Sequence, residues 1–287
     1  SNDIPVRSPS GIVIGNKDVI NATKATLSEF PDRRLLGEDV IWSGSPDTGM
    51  LSSHRIIATA SHLGDGIYAK ATGKKVKFRT IADCHAINNQ INDEWLIRDQ
   101  GGIVRQLGME VEDCARKQID AEGGPENCKW PFSESMNQIG PYQGKGNSNE
   151  WGEKYVDILR QIMKSDEAVI TNQYDRGCHL EYPGGVTGHS YSDATEFWTN
   201  LRSALPSAKF TIEHQIGRED KNMSPRAAVR WTLEGKHDGW GVFGAPSGAE
   251  LYVMGVSHAE FGPWGLRREY TIFDEVALWK QIILKTG

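Results

Sequence analysis

Apolar positions recur near helical spacing at Val19, Ala22, Leu27 and Phe30, and again at Phe197, Leu201 and Leu205. The pattern predicts helices over about 16–29 and 192–204. Asp18 and Asp193 fall in the first turn, where a carboxylate suits the helix dipole, and Pro31 and Pro206 stop each helix. Extended segments follow at about 38–43, 54–63, 74–88 and 91–97, with β-favouring residues such as Val76, Phe78 and Ile81; Leu251, Val253 and Val256 mark the later set. Short helices close each run at about 101–108 and 274–284. A further helix over 150–165 carries Trp151, Tyr155, Ile158, Leu159 and Ile162 on one side, and a strand is expected at 179–182. Consecutive strands after a helix predict an antiparallel sheet with helices on one face, an α+β class.

The two runs are copies. A shift of 175 residues superposes Asp18 on Asp193, Pro31 on Pro206, Glu38 on Glu213, Arg55 on Arg230, His62 on His237 and Gly64 on Gly239. The same shift carries Glu94 onto Glu269 and Asp99 onto Asp274. A constant offset held over nearly 90 residues indicates tandem duplication. The expected boundaries are a first domain at 12–120, a Gly/Pro/Asn/Ser-rich linker at 121–148 and a second domain at 149–287. The helix at 150–165 has no partner in the first copy, whose equivalent would lie before residue 1. That copy is expected to be truncated, or completed by residues 109–148 or by another chain.

Composition narrows the function. With 38% hydrophobic residues, 24% charged and nine Trp, the chain of 287 residues has material for two cores. A net charge of −6 without a basic run argues against nucleic acid, and no apolar stretch of about 18 residues suggests a membrane span. The opening Ser1-Asn2 reads as a processed end. Four cysteines without a C-x-x-C pair fit a reducing cytoplasm. P-loop, zinc-protease and serine-hydrolase signatures are missing, and the eight His lack metal-ligand spacing, so neither cofactor nor metal is expected.

Arg230-Trp231, then Gly235-Lys236-His237-Asp238-Gly239, then Phe243-Gly244-Ala245-Pro246-Ser247-Gly248, resemble the SnoaL-like polyketide cyclase family, as does Glu94-Trp95-Leu96-Ile97-Arg98-Asp99 in the first copy. The resemblance implies two tandem NTF2-like domains, each a curved antiparallel sheet wrapped around helices into a cone with a pocket. It further implies a cofactor-free intramolecular aldol closure on a small hydrophobic or aromatic molecule, and pairing of the two units sheet to sheet as an intrachain pseudo-dimer, with a further homodimer open. The family's catalytic Asp lies on the strand after the glycine turn. Here the second copy reads Gly255-Val256-Ser257-His258-Ala259-Glu260, and the first reads Thr80-Ile81-Ala82-Asp83-Cys84-His85, with its Asp one residue late. One residue turns a side chain to the other face of a strand unless a bulge restores it.

An aldol closure needs a base and a proton donor, which His and carboxylate side chains supply. The catalytic candidates are therefore His62 and His237, before the glycine turns, together with the i, i+2 pairs Asp83/His85 and His258/Glu260. For His62 and His237 the alternative is a bond to the turn backbone; for the pairs it is a solvated strand face. Trp42, Trp95, Trp198, Trp231, Trp264 and Tyr182 are candidates for an aromatic pocket wall, or for core. Asp99 and Asp274 read as helix N-caps, and Glu94 and Glu269 as partners of Arg98 and Arg268. Three functions stay open: a cyclase or isomerase, a non-catalytic small-molecule binder, and an interaction module with filled pockets.

Overall fold

The computed structural model describes residues 1–166 and 168–287. The first unit runs β1 (Pro5–Ser8), β2 (Gly11–Ile14), α1 (Asn16–Glu29), β3 (Arg34–Ser45), β4 (Gly49–Ser61), β5 (Lys75–Ile87), β6 (Gln90–Arg98) and α2 (Gln100–Gln106). After α3 (Val111–Ala121) comes irregular chain with one 3₁₀ turn at Glu134–Met136. The second unit runs α4 (Glu150–Met163), α5 (Ala168–Gln173), β7 (Tyr174–Tyr182), β8 (Val186–His189), α6 (Ser190–Ala204), β9 (Lys209–Arg218), β10 (Arg226–Lys236), β11 (Glu250–Gly262), β12 (Gly265–Ile272) and α7 (Glu275–Thr286).

Each unit holds one six-stranded sheet. The orders β2-β1-β6-β5-β4-β3 and β8-β7-β12-β11-β10-β9 are the same order written twice. Both sheets are antiparallel except where the first strand runs parallel to the last, β1 beside β6 and β7 beside β12. These are two NTF2-like units in tandem. The short hairpin β1–β2 begins the first sheet at Pro5, ahead of the boundary read at residue 12.

Local chemistry sets the helix ends. The Asp99 carboxylate accepts the Gly102 amide at 3.0 Å and starts α2, and Asp274 accepts the Ala277 amide at 3.0 Å and starts α7, as their spacing predicts. Asn149 caps α4, whose buried side carries Tyr155, Val156, Ile158, Leu159 and Ile162. Among the described residues the first unit has no counterpart of α4. Instead α3 packs on α7, and Cys114, Ala115 and Ile119 share a cluster with Val276, Ile283, Phe30 and Phe78. Among the described residues no helix is long and apolar enough to cross a membrane.

Strand alternation divides each sheet into a concave face toward its helices and a face toward the other sheet. Val76 and Phe78 of β5 belong to the helix-side cluster, whereas Ile81 joins Ile97, Met254, Val256 and Ile272 between the sheets. Ile81 and Val256, like Ile97 and Ile272, are repeat equivalents, so the sheets meet about a local twofold axis. The chain from 121 to 148 threads beside this layer: Phe132 is buried in it, and Arg7 Nε donates to Asn137 Oδ1 at 2.6 Å.

Candidate functional site

The layer between the sheets collects several of the polar residues singled out in the sequence. Asp83 and His258 are repeat equivalents, as are Arg55 and Arg230. The β4–β5 ladder runs unbroken from Lys75 to Ala86, so Asp83 faces the second sheet and not the first cone. Ser53 Oγ donates to Asp83 Oδ1 at 2.5 Å and lies 2.7 Å from His258 Nε2. With its hydrogen committed to Asp83, the hydroxyl accepts from Nε2–H, so Nδ1 accepts from Arg55 Nη1 at 3.0 Å and the imidazole is neutral. Burial, with Arg55 next, holds the His258 pKa well below its ordinary value. Arg230 Nε donates to Asp83 Oδ2 at 3.2 Å and completes the array. The guanidiniums stack symmetrically, Arg230 3.9 Å over Trp95 and Arg55 3.7 Å over Tyr270.

Other candidates are tied to structure. His62 Nδ1 lies 3.0 Å from Thr72 Oγ1 and His237 Nδ1 2.9 Å from Ser247 Oγ, each inside its glycine turn. His62 Nε2 reaches Glu29 Oε1 at 3.1 Å, whereas Ala204 stands at the equivalent place in the second copy and His237 Nε2 is buried without a partner among the described residues. His85 stacks on Tyr142 at 4.7 Å on the face shared with Asp83. Glu260 pairs with Arg267 and, at 3.6 Å, with Arg268. Trp42 lies under Arg218, and Trp264 is 79% exposed at the β11–β12 turn. Trp198, Trp231 and Tyr182 are buried in the core of the second unit.

The two cones differ in their contents. At the centre of the second, the Glu269 carboxylate accepts from Tyr155 (2.8 Å), Tyr174 (2.6 Å), Tyr182 (2.7 Å) and Trp198 Nε1 (3.1 Å). This carboxylate is buried, and desolvation raises its pKa against the lowering effect of those four bonds. Trp231 lies across Gly255, where any Cβ would run into the indole, and Nε1 donates to Ser257 at 3.0 Å. Phe197, Phe210 and Phe273 pack around this centre.

In the first cone the same positions carry small, aliphatic or charged residues. Trp198 is replaced by Thr23, Phe197 by Ala22, Leu201 by Thr26, Phe210 by Leu35 and Trp231 by Ile56. Because Val6 pairs with Glu94 as Leu180 pairs with Glu269, Ser8 stands where Tyr182 stands. The result is a cavity of about 390 Å³ between α1 and the concave face, lined by Ser8, Ala22, Thr23, Thr26, Leu35, Ile56, Phe78, Thr80, Leu96 and Glu94 among others. That volume is within the usual range of small-molecule sites.

Glu94 lies on this wall where Glu269 lies in the second unit, and among the described residues no donor bonds it. Burial raises its pKa. It does not pair with Arg98, as the sequence reading expected. Arg98 Nε is buried without a partner among the described residues, and Arg33, also on the wall, faces it as a like charge. Both guanidiniums are unique to the first copy: Phe273 and Ala208 stand in their places. Glu94, Arg33 and Arg98 are the residues that the sequence reading missed as site residues. Their signal lay in what the repeat does not preserve.

Residues 4–107 match the family model of the SnoaL-like polyketide cyclases. The first unit is a SnoaL-like domain. The second repeats its topology strand for strand, giving a tandem SnoaL-like architecture. Among solved structures, a SnoaL-like polyketide cyclase from Agrobacterium tumefaciens is 16% identical, with a TM-score of 0.37, over 47% of this chain and 99% of that one. TsrD from Streptomyces laurentii is 12% identical, with a TM-score of 0.39, over 47% of this chain and 97% of that one. No curated protein matches the chain.

Proposed function

We propose that the first SnoaL-like cone is a small-molecule site in which Glu94 acts as a general base, and that the second cone serves as its structural partner. The observation that carries this reading is the contrast between Glu94 and Glu269: the same carboxylate stands on the wall of a cavity in one copy and is bonded to four aromatic donors in the other. A half-buried carboxylate with a raised pKa is a stronger base than an exposed one and is suited to taking a proton from carbon. The Glu94 carboxylate would remove a proton alpha to a ligand carbonyl, leaving an enolate.

In a cyclase the enolate carbon then attacks a second carbonyl of the same molecule, forming one carbon–carbon bond. The new alkoxide recovers the proton from Glu94, so the base is regenerated and no cofactor is consumed. In an isomerase the proton returns to another carbon. The apolar residues Ile56, Phe78 and Leu96 suit a small hydrophobic or aromatic substrate. The layer of Asp83, His258, Arg55 and Arg230 supports reading the two units as an intrachain pseudo-dimer. Free, buried Cys84, Cys114, Cys128 and Cys178 support a reducing compartment, the cytoplasm.

The test is deuterium exchange at the acidic carbon of 2-tetralone in heavy water, followed by proton NMR. The wild type should accelerate exchange, and Glu94→Gln should lower the rate by about a hundredfold, the usual weight of a general base. Unchanged exchange in a folded Glu94→Gln protein would remove Glu94 from the chemistry.

A further inference from the structure

Three cationic side chains, Arg33, Arg98 and Lys129, line the first cavity, and among the described residues none of them is in an ion pair. The other ion pairs of the unit are well matched: Arg7 with Asp93, Arg55 and Arg79 with Glu38, Arg105 with Glu275. An unmatched pair of partly buried guanidiniums is costly, because each loses hydration and each repels the other. Desolvation lowers the Arg33 pKa, and the Arg98 charge lowers it further. Neither of the wall's own carboxyls relieves this. Asp274 is engaged as the cap of α7, and burial pushes its pKa up to about 7. Glu94 stands four residues from Arg98 on β6, which at about 3.3 Å per residue separates their Cα atoms by roughly 13 Å.

Relying on the reading of this cavity as a small-molecule site, we propose that its ligand is an organic carboxylate, with the carboxylate seated on Arg98 and Arg33 and the apolar body running toward Glu94. The planar guanidinium fork matches a carboxylate in two parallel hydrogen bonds. Leu96 lies between the charged end and the base on β6, and Ile56, Phe78 and Leu35 continue the apolar wall at and beyond the level of Arg98. The substrate class is therefore a small aromatic or aliphatic keto acid whose reactive carbon lies several ångströms from its carboxylate. Both arginines occur only in the copy that has the cavity, at positions that are Phe273 and Ala208 in the filled one.

The experiment is calorimetric titration of the whole chain with 2-naphthoate and with 2-naphthamide, which share shape and differ in charge. The wild type should bind the acid at least tenfold more tightly than the amide. Arg33→Met/Arg98→Met should abolish that preference while leaving amide binding within about twofold, and Glu94→Gln should keep the preference. Equal binding of acid and amide by the wild type, or a preference that survives in the double variant, would overturn the carboxylate assignment and leave the cavity reading standing. If neither compound binds the wild type, the cavity reading falls and the carboxylate assignment falls with it. Retained amide binding shows that the double variant is folded.

Discussion

Asp83 and His258 occupy the same position in the two copies and are joined through one hydroxyl, that of Ser53, at 2.5 and 2.7 Å. Duplication gave both sheets the same framework there, Arg55 and Arg230, and divergence then placed an acid on one side and a base on the other. A symmetric Asp/Asp pair would repel across the local axis. A neutral His beside Asp accepts Arg55 on one side and donates to Ser53 on the other. The array holds the sheets in register without leaving a charge unmatched.

His258 therefore makes stability depend on pH. Its folded pKa is depressed, so the unfolded chain binds the extra proton below about pH 6.5, the ordinary value for His. The stabilisation is complete above that pH and is lost as the solution is acidified toward the folded pKa. Urea denaturation at pH 7.5 and pH 5 should show the wild type losing its advantage over His258→Gln on acidification. A constant difference between the two proteins would show that His258 does not titrate on unfolding.

Glu269 and Glu94 should respond oppositely to replacement by leucine. Glu269→Leu strands three tyrosine hydroxyls and an indole N–H in a closed core, and should cost about 3–5 kcal/mol. Glu94→Leu removes a half-buried carboxylate that has no described donor, and should change stability by less than about 1 kcal/mol. Chemical denaturation of both variants measures the contrast.

Asp99 bridges the two units as well as capping a helix. Besides the Gly102 amide it accepts the amides of Gly184 at 2.8 Å and Gly185 at 2.9 Å from the β7–β8 turn. Asp274 makes the equivalent cap without that turn. Asp99→Ala should thus cost about 3 kcal/mol, against about 1 kcal/mol for an ordinary cap. The thermal midpoint of the variant should fall accordingly. A loss no larger than that of an ordinary cap would mean that the turn amides find other partners.

The fold was largely legible from the sequence. Helical spacing marked α1, α4 and α6, proline ended two of them, and the offset of 175 residues exposed the duplication. The strands β1 and β2 escaped because four residues each, one of them a proline, show too little alternation to register. The site was less legible. Matches between copies drew attention to His62, His237 and the aspartates, which the repeat keeps for turns and caps. The cavity instead comes from mismatches, Thr23 against Trp198, Ile56 against Trp231 and Arg98 against Phe273. A substitution from large to small reads as a void only when the equivalent large residue is known to be core, and burial is not visible in one sequence.

Refilling the first cone tests the central claim most directly. Thr23→Trp restores the residue that plugs the second cone, at the position that opens the first. Binding of 2-naphthamide, followed by calorimetry in the wild type and in Thr23→Trp, should be measurable in the first and at least tenfold weaker in the second, with the thermal midpoint of the variant equal to or above that of the wild type. Undiminished binding in a folded Thr23→Trp protein would contradict the account, because the ligand would then be held somewhere other than the first cone.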